Sequence, residues 1–289
     1  MANLKEVRVR IQSVNSTQQI TKAMKMVAAA KLRKAQDAII QMRPYSNKLR
    51  SLLQNLSEAA GTDFESPFME AREVENVLVV VVTSDRGLCG AFNTNIIKAV
   101  TSLVHEEHAG KHCTLLCIGR KGYDHFRKKL PRVNGDYHNL FSDLRYTSVQ
   151  KAGKYIMDSF EAREYDKVLV VYNEFKNVAT QIIRQEVLLP FTAAGQPASG
   201  SQADYLYEPG QEEILLELIP KALGMQLYKA VLDSNASEQG ARMTAMDKAT
   251  ENAGELLKEL KLMYNRTRQA SITTEILEIV GGAEALVSA

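Results

Sequence analysis

Proline is withheld from the last quarter of this chain. All seven prolines lie at or before Pro220, and from there to Leu286 the glycines are isolated or terminal. Nothing in that stretch forces a helix to stop, and a continuous helix of its length reaches ~100 Å at ~1.5 Å per residue. Cysteine is scarce too: Cys89, Cys113 and Cys117 are the only three. With no secretory pattern beside them, they point to a reducing compartment rather than a disulfide scaffold. No apolar run approaches the ~18 residues of a membrane span; the longest, Val77–Val82, has the length of a strand. A cleavable address is not expected, because a helical period already begins at Leu4. Neither G-x-G-x-x-G nor G-x-x-x-x-G-K-[ST] occurs, so the usual phosphate cradles are missing.

What is present begins with a seam. Met246, Ala249, Ala253, Leu256, Leu260, Met263, Thr267, Ala270, Thr274 and Leu277 alternate spacings of three and four, the period of a left-handed coiled coil. These residues are mostly small, so a partner helix can approach closely. A second seam opens at Leu4, Val7, Ile11 and Val14. Asn15, Ser16 and Thr17 interrupt the apolar phase, and it resumes at Ile20, Met24 and Val27 before running past Leu32, Ala35 and Ile39 towards Leu53. That shift predicts a stutter. Pro44 is expected to bend this helix and Gly61–Pro67 to end it. One long helix at each end predicts an antiparallel intramolecular pair. Beyond Glu275 the apolar residues Ile276, Leu277, Ile279, Val280, Leu286 and Val287 point all round the helix, which predicts burial in another subunit.

The formal net charge of +2 conceals an asymmetry. Residues 1–50 carry eleven Lys/Arg against Glu6 and Asp37, a local balance of +9. Such a face attracts acidic partners. A basic coiled-coil nucleic-acid binder is one reading; the small-residue seam and apolar tip argue against it.

The middle reads as α/β. Strands are expected at Asn76–Thr83, Cys113–Ile118, Lys167–Tyr172 and Thr180–Leu188, with helices at Asn93–His108, Lys121–Lys129 and Ser148–Arg163. This alternation predicts a mainly parallel, helix-covered sheet, a Rossmann-like domain. Ala193–Ala203 is a Gly/Ser/Pro-rich loop, Tyr205–Glu208 a candidate edge strand, and Glu212–Ile219 a short helix before Pro220. The division expected is 1–60 for the N-terminal helix, 74–209 for the α/β domain and 210–289 for the C-terminal helix.

The chemical signals are weak. Ser84–Gly90 sits between a strand and a helix, where α/β enzymes bind phosphate, but its glycines suit a tight turn better. His105-Glu106-Glu107-His108 is one residue short of a zinc-protease motif, and with His112 reads as exposed polar histidines at a helix end. Cys113 and Cys117 share a strand face as small buried hydrophobes. The final helix also carries a dense polar group at Glu238, Arg242, Asn265, Arg266, Arg268, Gln269 and Thr273, which includes donors of fixed geometry. No catalytic, cofactor or metal residue is assigned.

Three segments resemble one family. Ile20-Thr21-Lys22-Ala23-Met24-Lys25-Met26-Val27 through Leu32 is similar to the opening helix of the F-type ATP synthase gamma subunit, and Ser84-Asp85-Arg86-Gly87-Leu88-Cys89-Gly90-Ala91-Phe92-Asn93 to its middle signature. Ser237-Glu238, Arg242-Met243 and Tyr264-Asn265-Arg266-Thr267-Arg268-Gln269-Ala270-Ser271-Ile272-Thr273 resemble its closing helix. The resemblance implies a non-catalytic rotor shaft inside three alpha and three beta subunits, standing on the c-ring with epsilon at its foot. It places Met24, Lys25 and Arg242 near the acidic catch loop of beta, and Arg268, Gln269 and Thr273 at polar beta contacts. Arg43, Tyr205, Tyr207 and Glu208 fall at the c-ring and epsilon foot, and Ile276, Ile279, Val280 and Leu286 in an apolar bearing. It also implies a peripheral position on the cytoplasmic side of a bacterial cell membrane, no cofactor and no nucleic acid. The inserted cysteine pair of plastid relatives is missing, so thiol switching is not expected.

Overall fold

A computed structural model describes residues 4–60, 66–178, 180–191 and 210–287; the side chains of residues 50, 54, 55, 57–60, 211, 212 and 284–287 are outside the description. Helix α1 spans Leu4–Ala60 and helix α5 spans Gln211–Val287. Between them lie β1 (Asn76–Val82), α2 (Phe92–Ser102, continued by a π-helical turn at Leu103–Glu107), β2 (His112–Ile118) and α3 (Arg120–Phe126). Next come β3 (Val133–Asn134), a 3-10 turn at Leu140–Asp143, α4 (Tyr146–Glu161), β4 (Lys167–Phe175) and β5 (Gln181–Leu189). The chain forms two compact units: Ala28–Arg242, and Met1–Val27 together with Met243–Ala289.

The larger unit is built on a five-stranded sheet in the order β3-β2-β1-β4-β5. Its first four strands are parallel, and β5 pairs antiparallel with β4. Val77–Val82 is fully buried because helices cover both faces of the sheet. On one face Val77, Val79 and Val81 pack with Ile96, Val100, Cys117 and Phe126, bringing in α2 and α3. On the other, Leu78, Val80 and Val82 pack with Ile156 and Phe160 of α4, Leu223 and Leu227 of α5, and Leu53 of α1. Cys113 and Cys117 share the first of these faces, as their spacing predicts. The two-residue β3 escaped the sequence reading because it is too short to show a period. The candidate strand Tyr205–Glu208 and the loop Ala193–Ala203 lie outside the described residues.

One boundary differs from expectation. No separate helix precedes Pro220: α5 runs through it without a stop. A mid-helix proline frees the carbonyl four residues earlier, and here that residue, Leu216, is exposed, so water can satisfy it. Pro44 sits within α1 in the same way, over exposed Ile40.

In the smaller unit α1 and α5 run antiparallel. Lys25 Nζ meets Asp247 Oδ1 at 2.5 Å, the hydroxyls of Thr21 and Thr250 lie 2.8 Å apart, and Gln18 Nε2 donates to the Thr250 carbonyl at 3.4 Å. The predicted stutter is not there. Leu4, Val7, Ile11, Val14, Gln18 and Thr21 are buried or half-buried in unbroken three-four spacing, and Ala28, Leu32, Ala35, Ile39 and Met42 continue that spacing in the larger unit. Ile20 and Val27, assigned to the seam on apolarity, are 59% and 56% exposed. Polar residues hold the seam because their hydrogen bonds cross it.

The α5 seam is also shifted at some alternate positions, at Thr250 for the same reason. Met246, Ala253, Leu260 and Thr267 face inward as expected, and Ala249 and Leu256 are half-buried. But Thr250 makes the bond across the pair beside Ala249, Leu257 is more deeply buried than Leu256, and Tyr264 and Ser271 are half-buried where Met263 and Ala270 are exposed. Thr250→Val alone is expected to cost about 1 kcal/mol by removing the hydroxyl that donates to Thr21 across the pair, although Thr21 keeps its own bond to the Gln18 carbonyl. The T21V/T250V pair is expected to cost less than the sum of the two single changes. Thermal unfolding of the three variants checks this, and additive losses would refute the coupling.

Candidate functional site

The turn after β1 is knitted to its surroundings by side chains. Asn93 Oδ1 accepts from the Ser84 N–H at 3.0 Å, and Asn93 Nδ2 donates to Ser84 Oγ at 2.7 Å. Ser84 Oγ in turn donates to the Arg86 carbonyl at 2.7 Å, and Asp85 Oδ1 accepts from the Arg120 N–H at 3.2 Å. The Ser84 N–H is therefore spent inside the protein, unlike the free amides of a phosphate cradle. Cys89 is buried under the turn, and burial pushes its thiol up, away from the thiolate a nucleophile needs.

From α5, Arg242 reaches this turn. Its Nη2 donates to the carbonyls of Arg86 at 3.1 Å and Gly87 at 3.3 Å, while its Nη1 bonds Glu238 and Gln239. The Arg242 and Glu238 side chains are 12% and 8% exposed. Burial raises the Glu238 carboxyl, and Arg242 opposes that rise. The sequence grouped Glu238 and Arg242 with Asn265, Arg266, Arg268, Gln269 and Thr273, but the structure separates them: the latter five are exposed. No pattern in the sequence could have revealed that Arg242 bonds backbone carbonyls more than 150 residues away.

The other candidates fall as follows. Met24 and Lys25 are half-buried, and Lys25 has Asp247 as an exposed ion-pair partner, a bond worth about 0–1 kcal/mol. Thr273 is exposed and bonds the Gln269 carbonyl at 2.9 Å. Ile276, Ile279 and Val280 are exposed, whereas the Leu286 side chain lies outside the description, as do Tyr205, Tyr207 and Glu208. Arg43 is exposed at the mouth of a cavity of about 290 Å³ lined also by Ser46, Asn47, Glu174, Lys229 and Asp233. Asp233, a carboxyl pushed up to about 6 by burial, was missed in the sequence analysis because nothing near it in the chain marks it. His105 and His112 are exposed as expected, but His108 is buried at the end of the π-helical turn, and burial lowers its pKa. Among the described residues no cluster of His, Cys, Asp or Glu is arranged to hold a metal. Nor is any described helix long and apolar enough to cross a membrane.

Long N- and C-terminal helices that pair antiparallel, with a central α/β sheet whose first strand-to-helix turn is closed by side chains, define the class: a coiled-coil protein with a Rossmann-like domain. The comparisons narrow that class. The family model described as "ATP synthase" matches residues 3–286. The ATP synthase gamma chains of Cytophaga hutchinsonii and Flavobacterium psychrophilum are each 55% identical, over 99% of both chains. Among solved structures, a chain of the Tetrahymena thermophila mitochondrial ATP synthase central stalk and c-ring covers 80% of this chain and 99% of its own, at 26% identity and a TM-score of 0.59. A chain of the Euglena gracilis mitochondrial ATP synthase, at 20% identity, shares the fold over 98% of this chain and 94% of its own, with a TM-score of 0.66. This chain belongs to the ATP synthase gamma-chain family, the non-catalytic central-stalk component of that enzyme.

Proposed function

We propose that this chain turns as a shaft within a ring of alpha and beta subunits, joined through its foot to a c-ring and an epsilon subunit. It thereby couples ion flow to ATP synthesis or hydrolysis at the beta subunits. The position proposed is peripheral, on the cytoplasmic side of a bacterial cell membrane. Full-length identity of 55% to gamma chains carries this reading. The physics agrees with it. A shaft whose sides differ presents a different face to each of three identical neighbours, so their nucleotide affinities differ at any instant. A basic N-terminal segment attracts acidic loops, but at ~0.15 M salt the attraction decays over roughly 8 Å, enough to bias an angle without freezing it.

Within this reading Met24, Lys25, Arg268, Gln269 and Thr273 face beta. Ile276, Ile279, Val280 and Leu286 form the bearing, and Arg43, Tyr205, Tyr207 and Glu208 belong to the foot. Gln269→Cys in the assembled complex, crosslinked to beta, is expected to stop steady ATP turnover, with recovery on reduction. Full turnover in the crosslinked state would overturn the rotor assignment.

A further inference from the structure

We infer that Arg242 is a positioning residue: it fixes the loop 84–90 on α5, and it influences coupling through what that loop displays rather than by touching a neighbouring subunit. The inference rests on the shaft reading above and revises the role of one residue within it.

The donor inventory carries the argument. A guanidinium has five N–H donors in a rigid fork. Both terminal nitrogens of Arg242 are engaged within the chain, Nη1 with the Glu238 carboxylate and the Gln239 amide oxygen, Nη2 with the carbonyls of Arg86 and Gly87. With its side chain almost enclosed, a partner carboxylate could capture Arg242 only by leaving Glu238 buried and unpaired, together with two carbonyls. The geometry favours an internal clamp.

The clamped loop is unusual in what it shows to solvent. Leu88 is 64% exposed and held at φ +65°, a left-handed conformation that non-glycine residues avoid. Gly90 is also left-handed, at φ +59°. A large apolar side chain held outward in a strained conformation is costly twice over, and persists only where the surroundings over-determine it. Arg242, Ser84 and Asn93 supply those surroundings. Arg86 stands exposed beside Leu88 while its carbonyl accepts from both Arg242 and Ser84. The clamp therefore sets the direction of one cation and one apolar knob.

The test uses the purified complex carrying R242Q, R242K or the tethered pair R242C/G87C. Gly87 accepts a side chain, since an added Cβ meets only Lys121 Cε, at 3.8 Å. C113S removes the half-buried thiol, leaving Cys89 and Cys117 buried. Hydrogen exchange of the amides that bond this loop in place, those of Ser84, Phe92, Arg120 and Lys121, is expected to rise at least tenfold in R242Q and less in R242K, which keeps the charge but not the fork. Coupled proton pumping is expected to fall in R242Q. Joining the two cysteines of R242C/G87C with a short bis-thiosulfonate is expected to restore both loop protection and at least half of the pumping, and reduction to abolish both.

Unchanged exchange in R242Q would overturn the clamp. Restored protection without restored pumping would overturn the indirect role and return Arg242 to direct contact. If R242Q fails to assemble, R242K and the tethered pair give the same readings. Failure of the shaft reading itself shows separately, as continued turnover in the Gln269→Cys crosslink.

Discussion

Replacing Gly119 with alanine is expected to prevent the larger unit from folding, or to destabilise it by more than about 3 kcal/mol. Gly119 lies where the ends of β1 and β2 meet, at φ +100°. A Cβ there would stand 2.0 Å from the Thr83 carbonyl oxygen, and a backbone atom in a parallel sheet cannot move aside. Thr83 is itself fixed: its N–H donates to the Ile118 carbonyl at 2.8 Å, and its Oγ1 accepts from the Gly122 N–H at 2.9 Å. Gly110 is the control. It has φ +83° but nothing within 4 Å of an added Cβ, so G110A isolates the conformational cost, about 1 kcal/mol. Soluble yield and thermal unfolding of both variants test the argument, which fails if G119A is no worse than G110A.

Asp233→Asn is expected to stabilise the protein at pH 8 by about 2 kcal/mol, an advantage that shrinks towards pH 4. Asp233 is 7% exposed, and burial raises its carboxyl to about 6. The charged groups around it come from every packed element: Arg43 on α1, Glu174 on β4, Glu186 on β5 and Lys229 on α5. Lys229 and Arg43 favour the carboxylate, Glu174 and Glu186 oppose it, and burial outweighs all four. A carboxyl raised in the folded state binds its proton more tightly there than in the unfolded chain, where its pKa is about 3.9. Stability from this group is therefore greatest below about pH 4 and is lost as the pH rises through 6. Urea unfolding of both proteins across pH 4–8 measures it. A constant difference across that range would show that Asp233 stays ionised.

The α/β domain was legible because its buried strands are short apolar runs bounded by turn residues, rich in valine in β1 and β4. The strands expected at Asn76–Thr83 and Lys167–Tyr172 lie at Asn76–Val82 and Lys167–Phe175. The ends of the chain were legible as long helices, but their inner faces were misread wherever a polar residue faces the partner. Apolarity alone preferred Ile20 to Thr21 and Ala249 to Thr250, since the bond between two hydroxyls on opposite helices leaves no mark in either segment. Leu256 and Leu257 are equally apolar, so only the facing helix decides between them. Asp233 and the Arg242 clamp were hidden for a related reason: each owes its character to groups far away in sequence.

The antiparallel pairing in the smaller unit also has an arithmetic. Lys25 stands beside Asp247 and Thr21 near Thr250, so each step back along α1 meets a step forward along α5, and Leu4 falls level with about residue 268. Past that level, among the described residues, α5 continues as a single strand of helix. A solitary helix of this length is marginal in water, and Ile276, Leu277, Ile279 and Val280 would be left wet. Enclosure by neighbours would remove both penalties together, so the last turns would be completed by assembly rather than before it. An orphan copy would meanwhile carry a sticky, easily frayed end for the cell's proteases to find.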